Sequence, residues 1–139
     1  YDKSVKKQLI NPKKIYCLDT GLVNSISFKF SQDRGRLLEN LVYVTLTKQS
    51  REIYYHKGRY ECDFLIKDNL TITGAIQVTL SLKDEKTRNR EIRGLTEAMN
   101  AHNLKHGLII TEKESKTLRI DEKEIQVMPI YEWLNEIQT

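Results

Sequence analysis

Cysteine and proline are both scarce in this chain. The two cysteines, Cys17 and Cys62, stand far apart, and neither belongs to a Cys-x-x-Cys pair or a Cys/His cluster. This spacing argues against a structural zinc site, and each thiol reads as a small buried hydrophobe in a reducing cytoplasm. Proline occurs only at Pro12 and Pro129, and no Gly/Ser-rich linker, repeat or low-complexity segment divides the 139 residues. The simplest partition is a basic N-terminal extension over 1–30 and one compact core over 31–139. No eighteen consecutive apolar residues occur, which excludes a transmembrane helix. Gly-x-x-x-x-Gly-Lys-[Ser/Thr] is missing, so no P-loop binds ATP here, and no Gly-x-Ser-x-Gly elbow supports acyl transfer. His56, His102 and His106 lack ligand spacing and read as packing or surface residues.

What is present describes a folded α/β chain. Hydrophobic residues make up 39% and charged residues 30%, enough apolar content to bury a core and too much for disorder. Net charge is +4, and Lys3, Lys6, Lys7, Lys13 and Lys14 face only Asp2 in the first fourteen residues. That run is either a solvated face or a contact for phosphate or an acidic partner. The opening Tyr1-Asp2-Lys3-Ser4 is neither a signal peptide nor a typical initiation site, and the expectation is a fragment of a longer protein.

The pattern of apolar residues predicts the elements. Within the extension, 14–18 reads as a short strand and 22–28 as a short helix. From Ser31 to about Ser50, Leu38, Leu41, Val42, Thr45 and Leu46 form one helical stripe, broadened by Leu37 and Val44. Strands are predicted at 52–57, 61–67 and 74–82, with turn chemistry at Gly58-Arg59 and Asp68-Asn69. Strict alternation puts Cys62, Phe64 and Ile66 on one face of the second strand, and Ile76, Val78, Leu80 and Leu82 on one face of the third. Asp84 caps a second helix to about Asn103, whose apolar stripe is Ile92, Leu95 and Met99. A buried strand at 107–111, a charged hairpin-like region, a strand at 125–129 and a closing helix over 130–137 complete the order, with Trp133 and Leu134 inward. These elements suit a mixed sheet with helices on both sides.

If the second and third strands pair as a hairpin, Asp63 lies across from the stretch Gln77 to Thr79, and an acid, an amide and a hydroxyl share one face. A carboxylate beside another oxygen donor is what a hydrated Mg²⁺ ion takes. Glu39 sits in the first helix beside its apolar stripe, an odd place for a charge without a partner. A purely structural role is the other reading of these acids, with Arg34, Arg36 or Arg88 holding Glu39 and Asp63 in a buried polar network.

Gly35-x-x-x-Glu39, Glu61-Cys62-Asp63-Phe64 and Ile76-Gln77-Val78-Thr79 resemble the three motif segments of the PD-(D/E)XK nucleases. Asn11-Pro12-Lys13-Lys14-Ile15-Tyr16, Asp19-Thr20-Gly21-Leu22, Gly35-Arg36-Leu37-Leu38-Glu39-Asn40 and Thr87-x-x-x-Glu91 are similar to signatures of the C-terminal domain found on bacterial and archaeal AAA+-type P-loop ATPases. The resemblance implies a restriction-endonuclease-like αβββαβ core, with ATP handled by an N-terminal P-loop ATPase region of the same chain. It also implies a site of Glu39, Asp63 and Gln77, catalytic and Mg²⁺-binding in active members of the superfamily, with Thr79 and Glu91 beside it. The third strand there carries an acid and then a lysine, whereas this chain has Gln77 and Thr79. An amide oxygen still suits Mg²⁺, but Thr79 brings no cation to polarise an attacking water, a loss of about 10²–10⁴-fold in rate. Lys67 and Arg88 are the candidate replacements. The expectation is therefore a cytoplasmic accessory domain with a degenerate nuclease site that binds nucleic acid or a protein partner, away from membranes. Two alternatives fit the same residues: an active Mg²⁺-dependent nuclease, and a docking module for the ATPase body without nucleic acid.

Overall fold

The computed structural model describes residues 31–138, and the strand and helix expected within 1–30 lie outside them. Helix α1 (Ser31–Lys48) leads into β1 (Glu52–Lys57), β2 (Glu61–Asp68) and β3 (Thr71–Val78). Helix α2 (Glu85–Ala101) crosses to β4 (His106–Thr111), followed by β5 (Lys116–Ile120), β6 (Lys123–Pro129) and α3 (Ile130–Gln138). The six strands form one mixed sheet in the order β1-β2-β3-β4-β6-β5. Its first three strands are an antiparallel meander, β3, β4 and β6 run parallel, and β5 closes the far edge antiparallel to β6. Among the described residues no helix is long and apolar enough to cross a membrane.

Each face of the sheet has its own core. On one, Leu95, Ala98 and Met99 of α2 pack against Cys62, Leu65, Ala75, Ile109, Ile125 and Val127. On the other, Leu38, Val42 and Leu46 of α1 join Trp133 of α3 over Phe64, Ile66, Ile76, Val78 and Ile110. The i, i+4, i+8 spacing of Leu38, Val42 and Leu46 supplies the stripe that docks α1, and Tyr43 stacks on Phe64 with ring centroids 6.5 Å apart. Helix α2 starts where its cap dictates. Asp84 accepts hydrogen bonds at 2.9 Å from both the backbone N–H and the hydroxyl of Thr87, which hold its carboxyl below the usual carboxylate range.

Two β-bulges change the facing that plain alternation predicts. Tyr54 pairs with Leu65 and His56 with Cys62, so β2 carries one extra residue across Asp63-Phe64. Cys62 is thereby turned to the α2 core with Leu65, while Phe64 and Ile66 face α1; the three do not share a face as alternation implied. A second bulge lies at Thr73, because Ile66 pairs with Gly74 and Lys67 with Ile72. β3 also starts earlier than predicted and ends at Val78. Leu80 remains against the α1 core, but Leu82 joins the α2 core, so the expected run of Ile76 to Leu82 along one face stops short.

The β1–β2 turn is tied to α2 by one carboxylate. Glu97 accepts from the backbone N–H groups of Arg59 (3.2 Å) and Tyr60 (3.3 Å), and its Oε1 lies 2.9 Å from His56 Nε2. His56 is buried and meets His102 edge-on at 6.2 Å. Burial first, and the neighbouring His56 second, lower the His102 pKa below its ordinary value near 6.5. The unfolded chain thus takes up a proton that folded His102 resists, so stability should be lost as pH falls through about 6.5. Thermal melts of wild type and His102→Gln from pH 7.5 to about 5 check this. The gap between the two should narrow or reverse at low pH, and parallel curves would refute it.

Candidate functional site: a cleft where two strands part

The last register pair between β2 and β3 is Phe64 with Ile76. Beyond it β3 leaves β2 and continues beside β4, through Val78 opposite Ile110, Thr79 N–H donating to the Ile110 carbonyl at 3.0 Å, and Glu112 N–H donating to that of Leu80 at 3.1 Å. Side chains replace the ladder where the strands part. The Asp63 N–H donates to Gln77 Oε1 at 2.7 Å, and the Val78 N–H donates to Asp63 Oδ2 at 2.8 Å. The Gln77 amide then donates to the carbonyls of Glu61 (2.9 Å) and Glu91 (3.3 Å). Gln77, only 2% exposed, therefore laces β2, β3 and α2 together. A buried backbone group without a partner costs about 1–3 kcal/mol, and a long amide at this position avoids that at several groups at once.

The parting strands open a cavity of about 580 Å³ at the carboxyl end of β3, where open α/β sheets place ligands. Glu39 and Arg36 from α1, Asp63 from β2, Thr79 and Ser81 after β3, and Thr87, Arg90 and Glu91 from α2 line it. A second cavity of about 270 Å³ adjoins it, sharing Asp63, Arg90 and Glu91 and adding Arg59, Tyr60, Glu61 and Gln77.

The structure thus brings Glu39, Asp63, Thr79 and Glu91 to one cavity and puts Gln77 on the neighbouring one. The two candidate replacement cations line neither. Lys67 lies roughly 13 Å along β2 from Asp63 at the usual rise per residue, and its ammonium sits over the Tyr54 ring, 5.6 Å from the centroid. Arg88 donates to the Leu82 carbonyl at 3.3 Å, in the segment leading into α2. The cations of the cleft are Arg36 and Arg90, the latter 3.3 Å from Glu91 Oε1. Sequence reasoning named Arg36 only as a structural partner and missed Arg90. The available signal was helical adjacency, since Arg36 and Glu39 are i, i+3 neighbours on α1.

Among the described residues no three acidic, imidazole or thiol side chains are placed to hold one metal ion. Gln77 spends its carbonyl oxygen on the Asp63 N–H and one oxygen of Asp63 is taken by Val78. Glu39 and Asp63 thus share a cavity that Gln77 does not line, and these contacts alone define no hydrolytic step.

These features define a three-layer α/β domain with an acid-and-arginine cleft at a strand divergence. No family model matches the chain, and no solved structure matches it. Among curated proteins it is similar to an uncharacterised protein of Methanocaldococcus jannaschii, 32% identical over 142 residues covering 94% of this chain. The chain spans 31% of that relative's length.

Proposed function

We propose that this is an accessory domain with a restriction-endonuclease-like core, which binds the phosphodiester backbone of a nucleic acid in its cleft without efficient cleavage. The observation that carries this reading is the make-up of the cleft. Arg36 and Arg90 line it beside the acids Glu39, Asp63 and Glu91, with Arg90 3.3 Å from Glu91, while Gln77 is committed to backbone hydrogen bonds and Thr79 supplies no cation. Arginine is the side chain best matched to phosphate, through its planar fork of donors. A docking role without nucleic acid would call for a broad exposed apolar face. The large hydrophobics exposed among the described residues are Leu70 in the β2–β3 turn and Tyr131 on α3, which sit on different elements. The domain would serve a P-loop ATPase region elsewhere in a longer chain, and the M. jannaschii relative is long enough to hold one. Two cysteines without Cys-x-x-Cys spacing, one of them the buried Cys62, suit a reducing cytoplasm.

The test is fluorescence anisotropy with labelled DNA and RNA oligonucleotides, combined with a cleavage assay in Mg²⁺ and Mn²⁺. Binding should weaken steeply between about 50 and 200 mM salt as phosphate counterions are released. The double variant Arg36→Glu/Arg90→Glu should weaken it at least about tenfold. Cleavage should be slow or absent. No measurable binding, or binding that salt does not weaken, would sink the reading, and so would rapid turnover abolished by Asp63→Ala.

A further inference from the structure

We infer that the smaller cavity is a subsite for one unpaired nucleotide, so that the cleft takes single-stranded or locally opened nucleic acid in preference to intact duplex. This rests on the proposed nucleic-acid reading of the cleft and specifies its substrate. The cavity of about 270 Å³ is a recess between the β1–β2 turn and α2, and it shares Asp63, Arg90 and Glu91 with the larger one. Proteins that read paired bases insert a protruding helix or ribbon into a groove. A recess does the reverse and receives a base swung out of the stack.

The walls have the chemistry an extruded base needs. Tyr60 lines the recess, with the Arg93 guanidinium 5.8 Å from its ring centroid and Arg93 Nη1 donating to its hydroxyl at 3.3 Å. An aromatic ring is a surface on which unpaired bases stack, and Arg93, which does not itself line the recess, braces that ring from outside it. The turn that carries Tyr60 is fixed before any ligand arrives, because Glu97 holds the backbone N–H groups of Arg59 and Tyr60. A fixed ring spends little ordering entropy on binding. Arg59 and Arg90, both exposed, line the same recess beside Glu61, Asp63 and Glu91 and are the groups that can meet the phosphates on either side of the base. Gln77 forms part of the wall while locked by its own hydrogen bonds, so the recess has a rigid back.

The experiment uses the whole chain with fluorescein-labelled 20-nucleotide single strands and the matching blunt duplex at one salt concentration. The expected result is at least about fivefold tighter binding of the single strand, with Tyr60→Leu weakening it about tenfold, as the loss of one base–aromatic stack does. Tyr60→Phe should recover most of what Tyr60→Leu loses, because the ring returns. Arg93→Gln removes the brace on the Tyr60 ring but keeps the Glu97 bonds that hold the turn, and should weaken single-strand binding severalfold, which guards against misfolding of the Tyr60 variants. Photocrosslinking with an oligonucleotide containing 5-iodouracil should map to the peptide holding Arg59 and Tyr60. Equal affinity for duplex and single strand would overturn the subsite. It would also fall if Tyr60→Leu and Arg93→Gln bound normally while Arg36→Glu/Arg90→Glu did not, and the cleft reading would then survive without it. If no oligonucleotide binds at all, the cleft reading fails and the subsite fails with it.

Discussion

Gly94→Ala should lower stability by about 3 kcal/mol, a drop in melting temperature on the order of 10 °C for a domain of this size. Gly94 lies in the middle of α2, where alanine would ordinarily help the helix by about 1 kcal/mol. Packing reverses that sign. A Cβ at this position would sit 2.0 Å from the Glu61 carbonyl oxygen, 3.0 Å from the Glu61 carbonyl carbon and 2.8 Å from Gln77 Nε2. Two of those atoms are backbone of β2 and cannot swing aside, so α2 must retreat from the sheet by about 1 Å, against a close-packed core. That movement also stretches the bonds from Gln77 to Glu61 and Glu91. Gly107 offers an internal control. There the intruding Cβ meets Met99 Sδ at 2.7 Å and Leu95 side-chain atoms at 3.2–3.3 Å, groups with rotamers to adjust, so Gly107→Ala should cost clearly less. Urea titrations of the two variants decide the matter. A Gly94→Ala midpoint equal to wild type, or a larger loss at Gly107, would show that α2 does not rest on β2 as closely as described.

The helices and most strands were legible because their signals are local. The Leu38, Val42, Leu46 stripe, the Asp84 cap and the β-rich runs of β1 and β2 each depend on neighbours within a few residues, and the structure places all of them. β5 was seen only as part of a charged hairpin, since as an edge strand half its side chains face water and it lacks a clean apolar alternation. The bulges were not legible at all. An extra residue in one strand is defined by its partner's register, and sequence alternation alone assigned Cys62 to the wrong core.

The site was legible to the same degree. A hairpin between β2 and β3 with Asp63 across from the stretch Gln77 to Thr79 follows from alternation and turn chemistry, and the hydrogen bond that the Asp63 N–H donates to Gln77 and the one its carboxylate accepts from Val78 fit it. Which arginine reaches the cleft did not follow. Arg88 and Arg90 stand two positions apart on α2, and only docking of the helix on the sheet sends one to the Leu82 carbonyl and the other to the cavities. Lys67 failed for another reason: it shares a strand with Asp63 but lies one full turn of the pleat and more away, where Tyr54 offers its ring.

Gln77→Glu is the substitution that separates a structural brace from a dormant metal site, because it adds an acid at the position where the nuclease resemblance implies one. One carboxylate oxygen can still accept from the Asp63 N–H, as the amide oxygen does at 2.7 Å. The other would face the Glu61 and Glu91 carbonyls, which receive hydrogen bonds from the amide in the native chain and could receive none from a carboxylate. Only the protonated acid can donate there. Burial and the facing carbonyl dipoles should therefore raise the new group's folded-state pKa above the unfolded value of about 4.3. A raised folded pKa means that the folded chain holds the proton more tightly than the unfolded one. Stability is then close to native below about pH 4.3 and is lost as pH rises through the folded-state pKa, so that at pH 7 the variant should be weaker by about 3 kcal/mol. Gln77→Leu, which cannot donate at any pH, should be weakened by a similar amount without that pH dependence. Melting temperatures from pH 4 to about 8, with and without about 5 mM Mg²⁺, give the reading. A Gln77→Glu chain as stable as wild type at neutral pH without metal would contradict the brace. One that is unstable alone but restored by Mg²⁺ would show that the cleft needs only a single acid to become a metal site.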